Sequence, residues 1–462
     1  MTIWQPNLTG YSGPKYQAIV RALAEDIRNG VLSPGTRLPP QRELADQLGI
    51  TLGTVTRALK EAAHLGLVSG EVGRGTYVKK GEEGFFALLH TQTAEKKRIN
   101  LSTGGPSLRL DPEELRRGLI RLAEHPPMEG LETYQPESGS LEHRSAGARY
   151  IQHSRLEATP DRIAITSGGQ NAIAVTLSAV MKPHDTLLVE ELTYPGVKGI
   201  ASLFHYKLAP LSMDGEGILP QALEAAVRNG GPKVLYLQST LQNPTSAVMG
   251  PERREAVAHI ARKHDLVVVE DNVYGYLDAD APPPVGSLIP ERTYYLSTLG
   301  KSLLPGLRIG YVLTPPGERS RIAASVQALT VMTSPLNAEL AAQWINDGTV
   351  ERQRDIQRRE AALRQQMARE VLEGVSYQSH PYGSILWVSL TNGWEENAFV
   401  ARAAERGVDV PPGSAFAVGR KGIKPAIRLS LTGTEERARL KEGLTVIREL
   451  LQQAPAPSFP VG

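Results

Sequence analysis

The chain has 462 residues, enough for two or three domains with sizeable cores, and its 41% hydrophobic and 22% charged content is that of a globular protein. It has no cysteine, which removes disulfides, thiolate catalysis and cysteine-ligated metals, and its 10 histidines show no HExxH spacing, so no metal site is expected. The net charge of +2 excludes a strongly basic or acidic protein, yet residues 1–80 hold 10 Lys and Arg against 6 Asp and Glu, leaving 41 against 43 in the remainder.

No apolar run reaches membrane-spanning length and the first residues form no signal core, so a cytoplasmic protein without a membrane partner is expected. Residues 14–29 place Tyr16, Ile19, Val20, Leu23 and Ile27 at helical spacing, between Pro14 and Gly30. Pro39-Pro40 opens a second helix, Gln41 to Leu48, which Gly49 breaks. A third helix is expected from Thr51 to Leu65, with Val55, Leu59 and Ala62 inward and Thr54, Arg57 and Lys60 outward. Two short strands, at Leu67–Ser69 and Gly75–Val78, then flank a tight hairpin with Arg74 at its tip.

Helix, glycine turn, helix and hairpin make a winged helix-turn-helix pattern. The third helix would enter the major groove of double-stranded DNA. Thr51, Thr54 and Arg57 could reach phosphates or bases, Arg42 the backbone and Arg74 the neighbouring minor groove. A small helical cap with a solvated basic face is the plainer alternative. The run LPPQRELADQLGITLGTVTRALKEAAHLGLVSGEVGRGTYV resembles the winged-helix domain of the GntR family of bacterial regulators, over residues 12–79. The family's LPSxRxLAxxLGVSRxTVxxA pattern is departed from at Thr51-Leu52-Gly53, with Gly53 standing where a longer, often basic side chain is common.

Residues 80–98 mix charge and glycine and are expected to be a linker, spanning at most about 60 Å when extended. Beyond it strands alternate with helices: strands at 162–166, 186–190, 233–237, 266–270 and 293–297, helices at 171–181 and 251–264. Such alternation implies an α/β domain with a mostly parallel sheet, over residues 99–452, whose ligand sits at the carboxyl ends of the strands. The Pro-rich tail 453–462 is expected to be flexible.

Five motifs fall at or after those ends. Thr166-Ser-Gly168-Gly169-Gln170 is a glycine turn opening a helix, whose free N–H groups suit a phosphate. Tyr194, after a strand, can stack on a planar ring or simply pack. Asn243, fixed by Pro244, can donate to a phenolate oxygen or form a plain turn. Asp271, at the end of an apolar strand, can keep a pyridine nitrogen protonated or cap a helix, and Tyr274 follows within reach of the ring hydroxyl. Lys301 offers an amine to an aldehyde, with the Thr298 hydroxyl and the Arg308 guanidinium on either side for a phosphate.

In this order the motifs resemble fold type I pyridoxal-phosphate enzymes, the aspartate aminotransferase superfamily. The resemblance implies pyridoxal 5'-phosphate bonded to Lys301 as the catalytic lysine. It implies Asp271 at the pyridine nitrogen, Tyr274 and Asn243 at the ring hydroxyl, and Tyr194 stacked on the ring. Gly169, Gln170, Thr298 and Arg308 would hold the phosphate, with Tyr134 reaching it from a partner subunit. Arg428 would grip a substrate carboxylate as a bidentate pair. Departures are Gly300 where serine often stands, Asn272 in a common Asp-Asp-x-Tyr, Ser246 in Pro-Thr-Gly, and Gly196 where some relatives place an arginine for a second acid group.

A GntR winged helix joined to an aminotransferase-like domain resembles the MocR-type regulators. That implies a homodimeric, DNA-binding regulator that senses an amino compound or the cofactor itself. The alternative is a working aminotransferase acting on an amino acid, with a dispensable winged helix.

Overall fold

The computed structural model describes residues 4–6, 8, 14–28, 32, 35–64, 67–71, 75–78, 98–124, 133–228, 230–419 and 424–454. They divide into two compact units, one within 1–87 and one within 88–462. Arg74, all of the expected linker but Arg98, and nearly all of the tail lie outside the described residues.

In the first unit, helices α1 (Lys15–Arg28), α2 (Gln41–Leu48) and α3 (Leu52–His64) precede the antiparallel pair β1 (Val68–Glu71) and β2 (Gly75–Val78). Gly49 ends α2 in the left-handed conformation at φ 60°, and its N–H reaches the Ala45 and Asp46 carbonyls. Thr51 caps α3: its hydroxyl accepts the Thr54 N–H at 3.3 Å. The inward stripe of α3, Val55, Ala58, Leu59 and Ala62, is fully buried with Ile19 and Leu23 of α1, Leu44 of α2 and Val68 and Val78 of the hairpin. This is the expected winged helix-turn-helix, with helix ends shifted by a residue where capping sets them.

The second unit opens with β3 (Ile99–Asn100), β4 (Ile163–Thr166), β5 (Thr186–Glu190), β6 (Lys207–Leu211) and the short pair β7 (Met213–Asp214) and β8 (Gly217–Ile218). There follow β9 (Val234–Leu237), β10 (Val267–Asp271), β11 (Thr293–Thr298) and β12 (Gly310–Leu313). Seven of these form one sheet in the order β4-β12-β11-β10-β9-β5-β6, in which only β12 runs antiparallel to its neighbours. Both faces are covered, so the inner strands are largely apolar and buried, while the edge strand β6 is partly exposed. Val234, Tyr236 and Val269 feed one core while Leu235, Leu237 and Val268 feed the other.

A smaller antiparallel sheet, β13 (Tyr377–Gln378), β14 (Ile385–Ser389) and β16 (Ala426–Ser430), lies beyond. Its core joins Leu386, Val388, Ile427 and Leu429 to Leu440, Leu444 and Ile447 of a terminal helix. Ile99 returns to this core, where β3 pairs in parallel with β15 (Val408–Asp409). The helix Thr349–Val371 carries its last turns, Ala368 and Val371, into the same core.

The helix Leu141–Gln152 crosses β12 where Gly147 faces Tyr311: a β-carbon there would lie 2.6 Å from Tyr311 Cδ1. Tyr311 is fully buried and cannot retreat. Gly147→Ala is therefore expected to cost about 1–3 kcal/mol through overpacking, outweighing its better helix propensity, as a lower denaturant midpoint of the second unit would report.

Candidate functional site

The site gathers at the carboxyl ends of β4, β10 and β11 and around the middle of β16. Asp271 is the last residue of β10 and is 2% exposed. Its Oδ2 accepts the Tyr236 hydroxyl at 2.6 Å and Gln238 Nε2 at 3.2 Å, while its buried Oδ1 has no partner. Burial pushes its pKa up to about 6, against the pull of those two donors, of the Val273 N–H and of Lys301. The side chain thus presents one unsatisfied acceptor oxygen, the arrangement a protonated ring nitrogen would complete.

Lys301 sits in the turn after β11, and its Nζ donates to the Gly104 carbonyl at 2.6 Å, 5.6 Å from the Tyr274 ring centroid. A β-carbon at Gly104 would lie 3.2 Å from Ser430 Oγ, 3.3 Å from Thr432 Oγ1 and 3.5 Å from the Tyr274 hydroxyl, so a side chain there would press on the two β16-side hydroxyls. Behind the lysine, the Tyr276 hydroxyl donates to the Lys301 carbonyl at 2.7 Å. Arg358 of the helix Thr349–Val371 in turn donates to the Tyr276 carbonyl at 2.7 Å.

Arg428, on β16, is 7% exposed and makes no ion pair among the described residues. It donates to Asn243 Oδ1 at 3.3 Å and to the Ser102 carbonyl, lies over the Phe416 ring at 4.9 Å, and keeps Nε unpartnered. Burial lowers its pKa, with only the Tyr274 and Tyr194 hydroxyls to offset it. A buried guanidinium without a carboxylate is costly, and an acidic ligand would relieve it.

At the other end, Gly168 turns at φ 92° into the helix Gly169–Val180. The first-turn N–H groups of Gly169 and Gln170 have no earlier carbonyl within the helix to take them. Arg308, itself left-handed at φ 52°, folds over the turn and donates to the Ser167 carbonyl at 3.0 Å. A β-carbon at Gly168 would lie 2.7 Å from Arg308 Nη2. The Thr298 hydroxyl, expected at the phosphate, donates to the Ile309 carbonyl at 2.7 Å and accepts the Gly300 N–H at 3.1 Å, so its proton is engaged in the lysine turn.

Tyr194 lies within electrostatic range of Tyr274, Asp271, Arg428 and Arg308, and burial raises its pKa. Its ring folds over Gly196, where a β-carbon would lie 2.2 Å from Tyr194 Cε1. The arginine that some relatives place at position 196 has no room beside this tyrosine. Gln170 ties the two segments together through a 3.0 Å bond to the Gly196 carbonyl.

Tyr134 is not brought to the site by its own chain; it is 83% exposed. Tyr236, Gln238, Gly104 and Ser102 were missed in the sequence. Tyr236 and Gln238 alternate on one face of β9 and its end, a period-two signal hidden inside an apolar run, and Gly104-Gly105-Pro106 is an overlooked turn signature. In the first unit, Arg42 and Thr51 are exposed and Thr54 half-buried, its hydroxyl 2.9 Å from that of Thr51. Arg57 is exposed with its guanidinium 4.0 Å over the Tyr16 ring. Set letter by letter on the GntR pattern, the basic position falls on Leu52 rather than on Gly53.

Comparison with known proteins agrees with both units. The model of the gntR family of bacterial regulatory proteins matches residues 15–78, and that of aminotransferase class I and II matches residues 96–446. The second unit is thus a fold type I domain of the aminotransferase class, whose cofactor is pyridoxal 5'-phosphate. The chain is 34% identical over 451 residues to an uncharacterized HTH-type transcriptional regulator of Bacillus subtilis, YdeF, covering 97% of this chain and 96% of the other. It is 24% identical to the probable rhizopine catabolism regulatory protein MocR of Rhizobium meliloti, covering 89% and 91%. Among solved structures, a Pyrococcus horikoshii kynurenine aminotransferase in complex with PMP is 26% identical with a TM-score of 0.71, covering 80% and 93%. The chain belongs to the MocR-type regulators, transcriptional regulators that join a GntR winged helix to an aminotransferase-like domain.

Pyridoxal phosphate fits the residues present: an orphan acceptor at Asp271, an amine at Lys301, and a helix N-terminus with an arginine closing over it. In the cofactor-free protein, Asp271 carries a pH signature. Its folded pKa of about 6 lies above the ordinary 3.8, so its contribution to stability is full below about 3.8 and is lost as pH rises through about 6. Asp271→Asn, which keeps an acceptor for Tyr236 and Gln238, is expected to flatten that fall by about 1.4 kcal/mol for each pH unit between the two values. The buried Glu190 carboxyl, pushed up to about 8, leaves a residual slope of the same sign. Denaturant unfolding of wild type and variant across pH 4–8 measures the difference.

Proposed function

We propose that the protein acts as a cytoplasmic homodimer that reads double-stranded DNA with its first unit and holds pyridoxal 5'-phosphate through Lys301 in its second. The effector in this reading is an amino compound that carries a carboxylate. Arg428 carries the proposal: it is a buried guanidinium without a carboxylate partner among the described residues, in the same site as the Lys301 amine.

When bound, pyridoxal phosphate supplies an electrophilic aldehyde and an electron-drawing ring. Asp271 Oδ1 would accept the ring N–H and hold that proton in place, Tyr274 and Asn243 would serve the ring hydroxyl, and Tyr194 would cover the ring. Gly169, Gln170 and Arg308 would hold the phosphate, with Tyr134 serving the phosphate site of the partner subunit. Lys301, whose amine now donates to the Gly104 carbonyl, would hold the aldehyde end. Arg428 would grip the effector carboxylate and so orient its amine. An effector that binds one arrangement of the dimer better than another shifts DNA affinity by that difference.

A working aminotransferase is the second reading, favoured by the joint presence of Lys301, Asp271 and Arg428. Keto-acid formation from a panel of amino acids, followed alongside DNA binding, separates the two. Steady turnover without any effect on DNA affinity would replace regulation by catalysis.

Two variants test the assignments. Lys301→Ala is expected to abolish the long-wavelength absorbance that the wild type gains with pyridoxal phosphate, with the circular dichroism unchanged; a surviving band would remove Lys301 from this role. Arg57→Ala is expected to weaken DNA binding across sequences and to lower the slope of log affinity against log salt by about one.

A further inference from the structure

Among the described residues of the first unit, the one exposed large apolar side chain is Leu52, at 42%. A single exposed leucine is ordinary on a protein surface. This one is the first residue of α3, where a helix-turn-helix protein presents side chains to base edges. Its polar neighbours are partly engaged with each other: the Thr51 and Thr54 hydroxyls lie 2.9 Å apart, and Thr51 also takes the Thr54 N–H. Gly53 leaves the space beside Leu52 open, since a β-carbon there would find only Thr51 Oγ1, at 4.0 Å.

We infer that Leu52 reads the C5-methyl group of a thymine in the major groove and so sets sequence preference at one position of the DNA site. In that groove guanine presents N7 and O6, cytosine N4, adenine N7 and N6, and thymine O4, all hydrogen-bond donors or acceptors, and the thymine methyl is the apolar feature an aliphatic side chain can cover. Gly53 lets the helix start approach the groove closely without a side chain intervening. Arg42 and Arg57 supply charge for phosphates, which position the helix but carry no sequence information. The inference rests on α3 being the helix that enters the groove.

The test uses the full chain with pyridoxal phosphate bound. Sites are first selected from a random duplex library. In the selected duplex each thymine is then replaced in turn by deoxyuridine, which removes only the methyl group. One replacement is expected to weaken wild-type binding about fourfold, the value of one buried methyl. In Leu52→Ala, whose exposed position spares the fold, the same replacement is expected to have no effect, and the salt slope is expected to match wild type because no charge was removed. Leu52→Arg is expected to shift the preferred base at that position to guanine.

A selected site without any methyl-sensitive thymine overturns the inference, as does a methyl effect that persists in Leu52→Ala. Failure to select any site overturns it too, and removes the placement of α3 with it. A site selected by wild type, weakened by Arg57→Ala and insensitive to every methyl, overturns the role of Leu52 alone.

Discussion

The second unit is arranged around the burial of one carboxylate. Asp271 is almost sealed from solvent, with one oxygen held by Tyr236 and Gln238 and the other left open. Removing a carboxylate from water is expensive, and two hydrogen bonds offset only part of the cost. The rest is met by proton uptake, which the raised pKa reports, and would be met by a donated hydrogen bond from a ligand. Gln238 also accepts the Asn243 N–H at 3.1 Å, so the group that fixes the carboxylate fixes the loop that meets Arg428. Acid at one end and guanidinium at the other are thus both left incompletely partnered, with the Lys301 amine among them.

How much of this was legible varies with the kind of signal. β5 runs as expected from Thr186 to Glu190, and α2 from Gln41 to Leu48, because turn residues bracket an apolar run in one and Pro39-Pro40 and Gly49 bracket the other. Asp271 and Thr298 prove to be the last residues of their strands rather than the first after them, since parallel pairing with β11 carries β10 to Asp271 and antiparallel pairing with β12 carries β11 to Thr298. The antiparallel β12 went unread, because nothing in four apolar residues tells which neighbour they pair with. Roles were harder than places. Thr298 was legible as a hydroxyl near the lysine, but its bond to the Ile309 carbonyl depends on the return of the chain eleven residues later, which a local pattern does not encode.

Glycines mark where the two chemistries need backbone rather than side chain. Gly168 yields its β-carbon space to Arg308, and Gly196 yields its own to the Tyr194 ring. At Gly53 the reason is different: no neighbour crowds it, so packing within the first unit does not demand glycine there. The first two make room for side chains within the candidate site, while the third leaves the exposed start of α3 bare.

The Tyr276 hydroxyl holds the backbone of Lys301, and Arg358 holds the backbone of Tyr276. Arg358 belongs to the helix whose far end is built into the small sheet's core. The peptide that carries the lysine is thus tied, two hydrogen bonds away, to a 23-residue helix whose last turns are anchored in a separate core.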